Sequence, residues 1–133
     1  MKQRFSKRTR LVSALLTLAM VCTFLPFSAF AATGDVEINN TNFPDAKFQE
    51  YLKTATRPGT SEQIDKNGDG ILSAEERNQV YILDVEKSGI KDLTGIKLFP
   101  KLSTLKCSEL GLEKLDLSEN KELYTLYCSK NNL

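Results

Sequence analysis

Histidine and tryptophan are absent from this 133-residue sequence, and cysteine occurs only three times. Without histidine the chain cannot form a Ser-His-Asp or Cys-His nucleophilic arrangement, or a zinc site with imidazole ligands. A hydrolase with paired carboxylates is the enzymatic hypothesis that remains, since acidic residues are plentiful. The best-ordered acidic cluster fits a bound cation better, so we expect a protein that is not an enzyme.

Long hydrophobic runs are confined to the N-terminus. The basic segment MKQRFSKRTR precedes fifteen residues, LVSALLTLAMVCTFL, and SAFAA closes the run with small residues at Ala29 and Ala31. These are the parts of a secretory signal peptide, and the run is short beside the ~20 residues that span a bilayer. We predict a signal peptide over residues 1–31 and therefore a secreted or surface-displayed protein without a membrane span. An uncleaved anchor is the alternative.

Charge of one sign is scarce in the predicted exported part. Residues 1–31 hold five of the 18 basic residues and none of the 17 acidic ones, which leaves a net charge of −4. A mildly acidic chain has no electrostatic reason to bind nucleic acid or an anionic membrane. The remaining 102 residues suffice for one modest domain.

Residues 32–79 are predicted to form a helical cap. The segment 32–41 is polar, and we expect it to be extended or poorly ordered. FPDAKFQEYLKT predicts a short helix with Pro44 in its first turn and Asp45 at the positive end of its dipole. Its apolar face would hold Phe48, Tyr51 and Leu52. TATRPGTSEQ ends that helix with a turn, and SAEERNQV predicts a second one.

Between these helices, the stretch 65–76, DKNGDGILSAEE, matches the twelve-position calcium loop of the EF-hand. Positions 1, 3, 5, 7 and 12 are Asp65, Asn67, Asp69, Ile71 and Glu76, with Gly70 at the sharp turn and Ser73 placed to act through water. Calcium takes six to eight oxygen ligands, which this spacing brings to one point. We therefore predict that residues 65–76, the calcium loop, bind Ca²⁺.

Two simpler explanations cover part of this pattern. Asn-Gly-Asp-Gly is also a turn sequence, and Ser73 with Glu76 forms a capping box in a helix that needs no metal. Neither explains the alternating oxygen ligands at the start of the loop. A sensor needs two helices that flank the loop directly, and a dockerin-like module needs a second loop, so we predict a structural calcium site.

Beyond residue 80 the leucines repeat with a period of 21–22 residues. The matching pairs are Leu102 and Leu123, Leu105 and Leu126, Cys107 and Cys128, and Leu112 and Leu133. An imperfect earlier copy lies 22 residues before them, at Val80, Leu83, Val85, Ile90 and Leu93. This period is typical of leucine-rich repeats, in which L-x-x-L-x-L forms a strand. Residues 80–133 are therefore predicted to contain about two and a half repeats, incomplete at the C-terminus.

LSTLKCSELGLEKLDLSENKELYTLYCSKNNL resembles the repeats of internalin-like leucine-rich repeat proteins of Gram-positive bacteria, including a branch with cysteine at a core strand position. The segment ahead of it resembles the one that precedes such repeats in secreted proteins. The resemblance implies an α/β fold, in which a helical cap leads into a parallel-strand solenoid whose concave face binds protein or glycan. Leu110 departs from the pattern, since the family usually has asparagine there, whereas Asn131 fits it one repeat later.

The residues between the inward leucines would face the concave surface. These are Thr104, Lys106, Thr125 and Tyr127, with Ser108 and Ser129 at the strand ends. Lys106, Tyr124 and Tyr127 are the candidate partner-binding residues, although ordinary solvated strand positions would look the same. Cys107 and Cys128 would lie on neighbouring strands, where a disulfide is feasible but free buried thiols are favoured.

The predicted function is that of an exported, monomeric calcium-binding repeat module for an extracellular protein or glycan. The alternative is an N-terminal fragment of a longer surface adhesin without independent activity, because solenoids need about three repeats and an end cap.

Overall fold

The structure is a computed structural model that describes residues 34–133, so the predicted signal peptide lies outside the described residues. It has a mixed α/β architecture with short elements. In chain order these are β1 Val36–Glu37, α1 Ala46–Thr54, β2 Ile71–Leu72, α2 Ala74–Asn78, β3 Ile82–Asp84, a 3₁₀ turn Ile96–Leu98, β4 Thr104–Lys106 and β5 Thr125–Tyr127. None of the described helices is both long and apolar enough to cross a membrane.

Helix α1 forms where its sequence predicts, but it begins later than expected. Asp45 is the N-cap, and its side chain accepts hydrogen bonds from the backbone N–H groups of Lys47 and Phe48. Pro44 therefore precedes the helix, and its predicted place in the first turn was wrong, because the aspartate cap sets the start. Phe48 and Leu52 are fully buried, as the apolar spacing predicted.

The segment before α1 contains a strand whose partner the sequence did not reveal. Strand β1 pairs antiparallel with β2, with Val36 opposite Leu72. Each strand has two residues, which is too short for an alternating pattern to be visible. The pairing joins the start of the described chain to the end of the calcium loop.

Strands β3, β4 and β5 form a parallel sheet, one strand in each repeat. Leu83 pairs with Leu105 at an offset of 22 residues, and Leu105 pairs with Leu126 at an offset of 21. The sheet confirms the prediction of stacked parallel strands with these periods. Leu83 and Leu105 are fully buried, whereas Leu126 is 42% exposed because β5 is the edge strand of the described sheet.

The cap and the repeats share one continuous core. The ring of Phe43 packs edge-on against Phe48 of α1 at 5.5 Å and lies 6.3 Å from Phe99 of the first repeat. Gly95 adopts φ +100°, and a Cβ there would lie 2.4 Å from both the Asn42 carbonyl oxygen and the Phe43 ring. The chain therefore needs glycine at this point to bring the cap against the repeats.

Candidate calcium site and repeat surface

The calcium loop is held at both ends by the cap. At its start, the backbone N–H of Asp65 donates to the Leu52 carbonyl of α1 at 3.3 Å. At its far end the chain enters β2 and then α2, whose N-cap is Ser73. An antiparallel bridge between Thr56 and Gln63 closes the turn between α1 and the loop. As predicted, no helix enters the loop directly.

Asp65, the predicted ligand at position 1, is buried under the loop. Its Oδ1 accepts a hydrogen bond from Gly68 N–H at 2.8 Å, and its Oδ2 accepts one from Gly70 N–H at 3.0 Å. The side chain is 1% exposed. Gly70 has φ +78°, so the sharp turn predicted for position 6 is present. The carboxylate thus organises the loop through backbone donors on both glycines.

Glu76, the predicted ligand at position 12, closes the loop from the opposite side. Its Oε1 accepts from Lys66 N–H at 2.9 Å, and its Oε2 accepts from the Ser73 N–H and hydroxyl, each at 2.8 Å. The capping box foreseen as the metal-free explanation is therefore formed. Glu76 is buried as well, so both ends of the loop carry an inward-turned carboxylate.

The middle ligands lie at the exposed rim of the loop. Asn67 Nδ2 donates to Asp69 Oδ2 at 2.8 Å, and Asp69 Oδ1 accepts from Ile71 N–H at the same distance. Within residues 34–133 no three Asp, Glu, Cys or His side chains converge as a metal-holding group. The five predicted residues are thus neighbours in one loop whose carboxylates are bonded to N–H and O–H donors.

The charges in the loop are not balanced by cationic side chains. None of the ion pairs found in the described chain includes Asp65, Asp69 or Glu76. Two of these carboxylates are nearly inaccessible to water, and a buried charge without a countercharge is costly. Oxygen donors alone, at this spacing, are the set that a hard cation such as Ca²⁺ prefers. The residues therefore fit a calcium ion by donor type and by charge.

The loop is linked to the first repeat through α2. Arg77, one residue after Glu76, donates from Nη1 to the Leu98 carbonyl at 3.0 Å and from Nη2 to the Gly34 carbonyl. These contacts join the loop, the start of the described chain and the 3₁₀ turn. The sequence analysis missed Arg77, which carries no motif of its own.

The predicted partner surface lies on the outward side of the parallel sheet. Lys106 pairs with Asp84 of the neighbouring strand at 3.2 Å, and Tyr127 is 53% exposed beside it on β5. Tyr124 is also exposed, but it precedes β5 and so lies at the sheet's edge. The expectation for Ser108 was wrong: it is buried, because β4 ends at Lys106 and the alternation of side chains stops there.

A further exposed tyrosine, Tyr81, escaped the sequence analysis. It stands one residue before β3, as Ser103 does before β4 and Tyr124 before β5. Its carbonyl accepts hydrogen bonds from the N–H groups of Ser103 and Thr104. The 22-residue period could have found Tyr81, had it been extended to positions outside the leucine pattern.

Cys107 and Cys128 follow β4 and β5 and are both free thiols in the structure, as favoured from the sequence. Cys107 is fully buried and Cys128 is half-buried. Burial, with smaller contributions from Cys128 and Glu86, raises the pKa of the Cys107 thiol to about 11. A thiol with so high a pKa is a poor nucleophile, which agrees with a packing function.

Neither a protein-family profile nor a curated protein matches the sequence. Among solved structures, the functional domain of InlJ from Listeria monocytogenes, described as including a cysteine ladder, resembles the fold with a TM-score of 0.43 and 22% sequence identity. That match covers 71% of this chain and 24% of the InlJ chain, so the present chain spans about a quarter of the length of its structural neighbour.

Proposed function

We propose that this chain is an exported leucine-rich repeat module whose cap is stabilised by a structural calcium ion, and whose outward sheet face binds an extracellular protein or glycan. The observation that carries the proposal is the pair of buried, cation-free carboxylates, Asp65 and Glu76, in a loop joined to a parallel repeat sheet. The organism would be a Gram-positive bacterium, and the module would act as a monomer without catalytic activity.

The ligands proposed for the ion are Asp65, Asn67, Asp69, the Ile71 carbonyl and Glu76, with a water at Ser73. Bound calcium would supply the positive charge that the loop lacks. The chain's own contribution is to hold the two glycine turns and α2 in place, through the hydrogen bonds of Asp65 and the capping box of Ser73. Because both carboxylates are buried only in the folded loop, binding free energy would add to folding free energy.

The loop is better suited to constant occupancy than to signalling. It is fixed by β1 on one side and by Leu52 of α1 on the other, so a change of occupancy has no free helix to move. Extracellular calcium modules bind at roughly 10⁻⁴ to 10⁻³ M, which suffices outside a cell. The module would therefore stay filled wherever calcium is present at such concentrations.

Thermal unfolding of the chain in calcium, in magnesium and in chelator tests the calcium site. We expect calcium to raise the midpoint more than magnesium does, since Mg²⁺ demands a smaller octahedral shell. Asp65→Ala and Glu76→Ala should abolish the calcium response, whereas Asp116→Ala, an exposed carboxylate far along the repeats, should keep it. A midpoint of the native chain that is the same in calcium and in chelator would refute the structural calcium site.

The partner surface needs a separate test. Tyr127→Ala and Lys106→Ala should weaken binding to a glycan or extracellular protein identified by array screening. Lys121→Ala, an exposed lysine outside the sheet, is the matched control and should bind normally. Equal binding by all three variants would assign recognition to another surface.

A further inference from the structure

The sequence Asn67-Gly68 within the calcium loop is the chain's single Asn-Gly pair. Asn67 is exposed, and Gly68 has φ +70° with open space where a Cβ would stand. We propose that Asn67 is a site of spontaneous deamidation, through a succinimide formed with the backbone nitrogen of Gly68. This inference does not depend on calcium binding.

The attacking nitrogen is already bonded to a base. Gly68 N–H donates to the Oδ1 of Asp65 at 2.8 Å, so this carboxylate lies where it can accept the proton as the nitrogen attacks. Glycine has no side chain to keep the nitrogen from the Asn67 carbonyl carbon. The N–H bond lies in the peptide plane, which leaves the face of the nitrogen free to react.

The attacked carbonyl is activated by its neighbour. Asn67 Oδ1 accepts a hydrogen bond from Asp69 N–H at 3.3 Å, and this donor stabilises the negative charge that develops on the oxygen. The departing nitrogen, Nδ2, donates to Asp69 Oδ2 at 2.8 Å. The reacting amide is thus held at both of its polar atoms.

The reaction balances with water as its only co-reactant. A bond forms between Gly68 N and Asn67 Cγ, the Cγ–Nδ2 bond breaks, and ammonia leaves with the proton released by the Gly68 nitrogen. Water then opens the five-membered imide at either carbonyl. One opening gives aspartate and the other gives isoaspartate, which inserts a methylene into the backbone of the loop, and no atom is oxidised or reduced.

Peptide mapping of the chain, incubated in chelator and ¹⁸O-labelled water at mildly alkaline pH, tests this inference. We expect the Asn67 peptide to convert to a mixture of aspartate and isoaspartate, each carrying one labelled oxygen. Its rate should exceed that of Asn78 or Asn132 at least about tenfold, because both of those precede larger residues. Asn67→Gln, an exposed substitution, should remove the signal and leave the fold intact.

The function of Asp65 is tested with Asp65→Asn. The rate at Asn67 should fall about tenfold or more, since a positioned general base contributes at least on the order of 10²-fold. If that variant does not fold, the native chain is compared with itself in urea, and the folded chain should react at least as fast. An Asn67 peptide that keeps its amide while other asparagines convert, or that reacts more slowly folded than unfolded, would overturn the proposal.

Discussion

At the scale of single residues, two asparagines connect the repeats. Asn131 donates from Nδ2 to the carbonyls of Cys107 and Cys128, and its Oδ1 accepts from the N–H groups of Leu110 and Leu112. Asn120 is buried and donates to two carbonyls of the preceding repeat. These amides pair backbone groups that would otherwise lie unsatisfied between the turns.

We predict that Asn131→Ala lowers the free energy of unfolding by about 1–3 kcal/mol, the cost of leaving partly buried backbone groups unpaired. Urea denaturation measures the change. Asn132→Ala is the matched control, since its side chain makes no hydrogen bond within the described chain, and it should change stability little. Equal effects of the two substitutions would contradict the importance of the amide bonds.

Sequence spacing predicted which residues occupy the calcium loop, but not what their oxygens contact. The twelve positions follow from the alternation of ligands along the chain, which is a local property. Whether Glu76 turns toward a cation or toward Ser73 N–H depends on three-dimensional contacts, and the capping box satisfies the side chain without metal. Leu110 illustrates the same limit, because its departure from the asparagine pattern is accommodated simply by burying it.

At the scale of elements, Asp45 serves two elements at once. Its Oδ1 caps α1, and its Oδ2 accepts from the N–H groups of Lys91 and Asp92 in the first repeat, at 2.7 and 3.1 Å. Burial raises the pKa of Asp45, but the four backbone donors outweigh it and lower the pKa below its ordinary value. The sequence predicted a helix end here, and it could not predict the long-range bonds.

This pKa shift makes stability depend on pH. Because the pKa of Asp45 is lowered in the folded state, its contribution is complete above the unfolded pKa near 4 and is lost as the pH falls through the folded pKa. Asp45→Asn should therefore destabilise the chain at pH 6, by roughly 1–2 kcal/mol as a cap loss, and the difference should shrink toward pH 2. Denaturant titration at both pH values measures this.

Glu50→Gln is the control for the charge at Asp45. It lies on the exposed side of α1 and should not change the stability difference between the two pH values. A constant difference between the native chain and Asp45→Asn at all pH values would mean that shape, and not charge, explains the effect.

At the scale of the whole molecule, the cap and the repeats behave as one folded body because their cores merge. The hydrophobic period predicted both segments, and their union depends on contacts that no period encodes, such as Phe43 against Phe99. Gly95 marks the closest approach of the two. A glycine in a turn is common, and nothing in its sequence context distinguishes one that must lie against another backbone.

Gly95→Ala and Gly59→Ala separate this packing requirement from backbone strain. Both glycines have positive φ, but only Gly95 would place a Cβ against other atoms, whereas Gly59 has open space. Gly59→Ala should cost about 1–2 kcal/mol for the left-handed conformation. Gly95→Ala should cost clearly more and broaden the unfolding transition. Equal losses in the measured midpoint would show that cap and repeats do not need this close contact.

The ion pairs between repeats alternate in sign along the stack. Glu109 lies between Lys130, 2.7 Å away, and Lys87, and these cations lower its pKa. Asp84 with Lys106 and Asp92 with Lys114 follow the same offset. Leucines are identical in every repeat, so they cannot distinguish one neighbour from the next, whereas the charges differ between odd and even repeats. Excising residues 88–109 would bring Lys87 beside Lys130, so the stack carries a parity that disfavours the loss of a single unit.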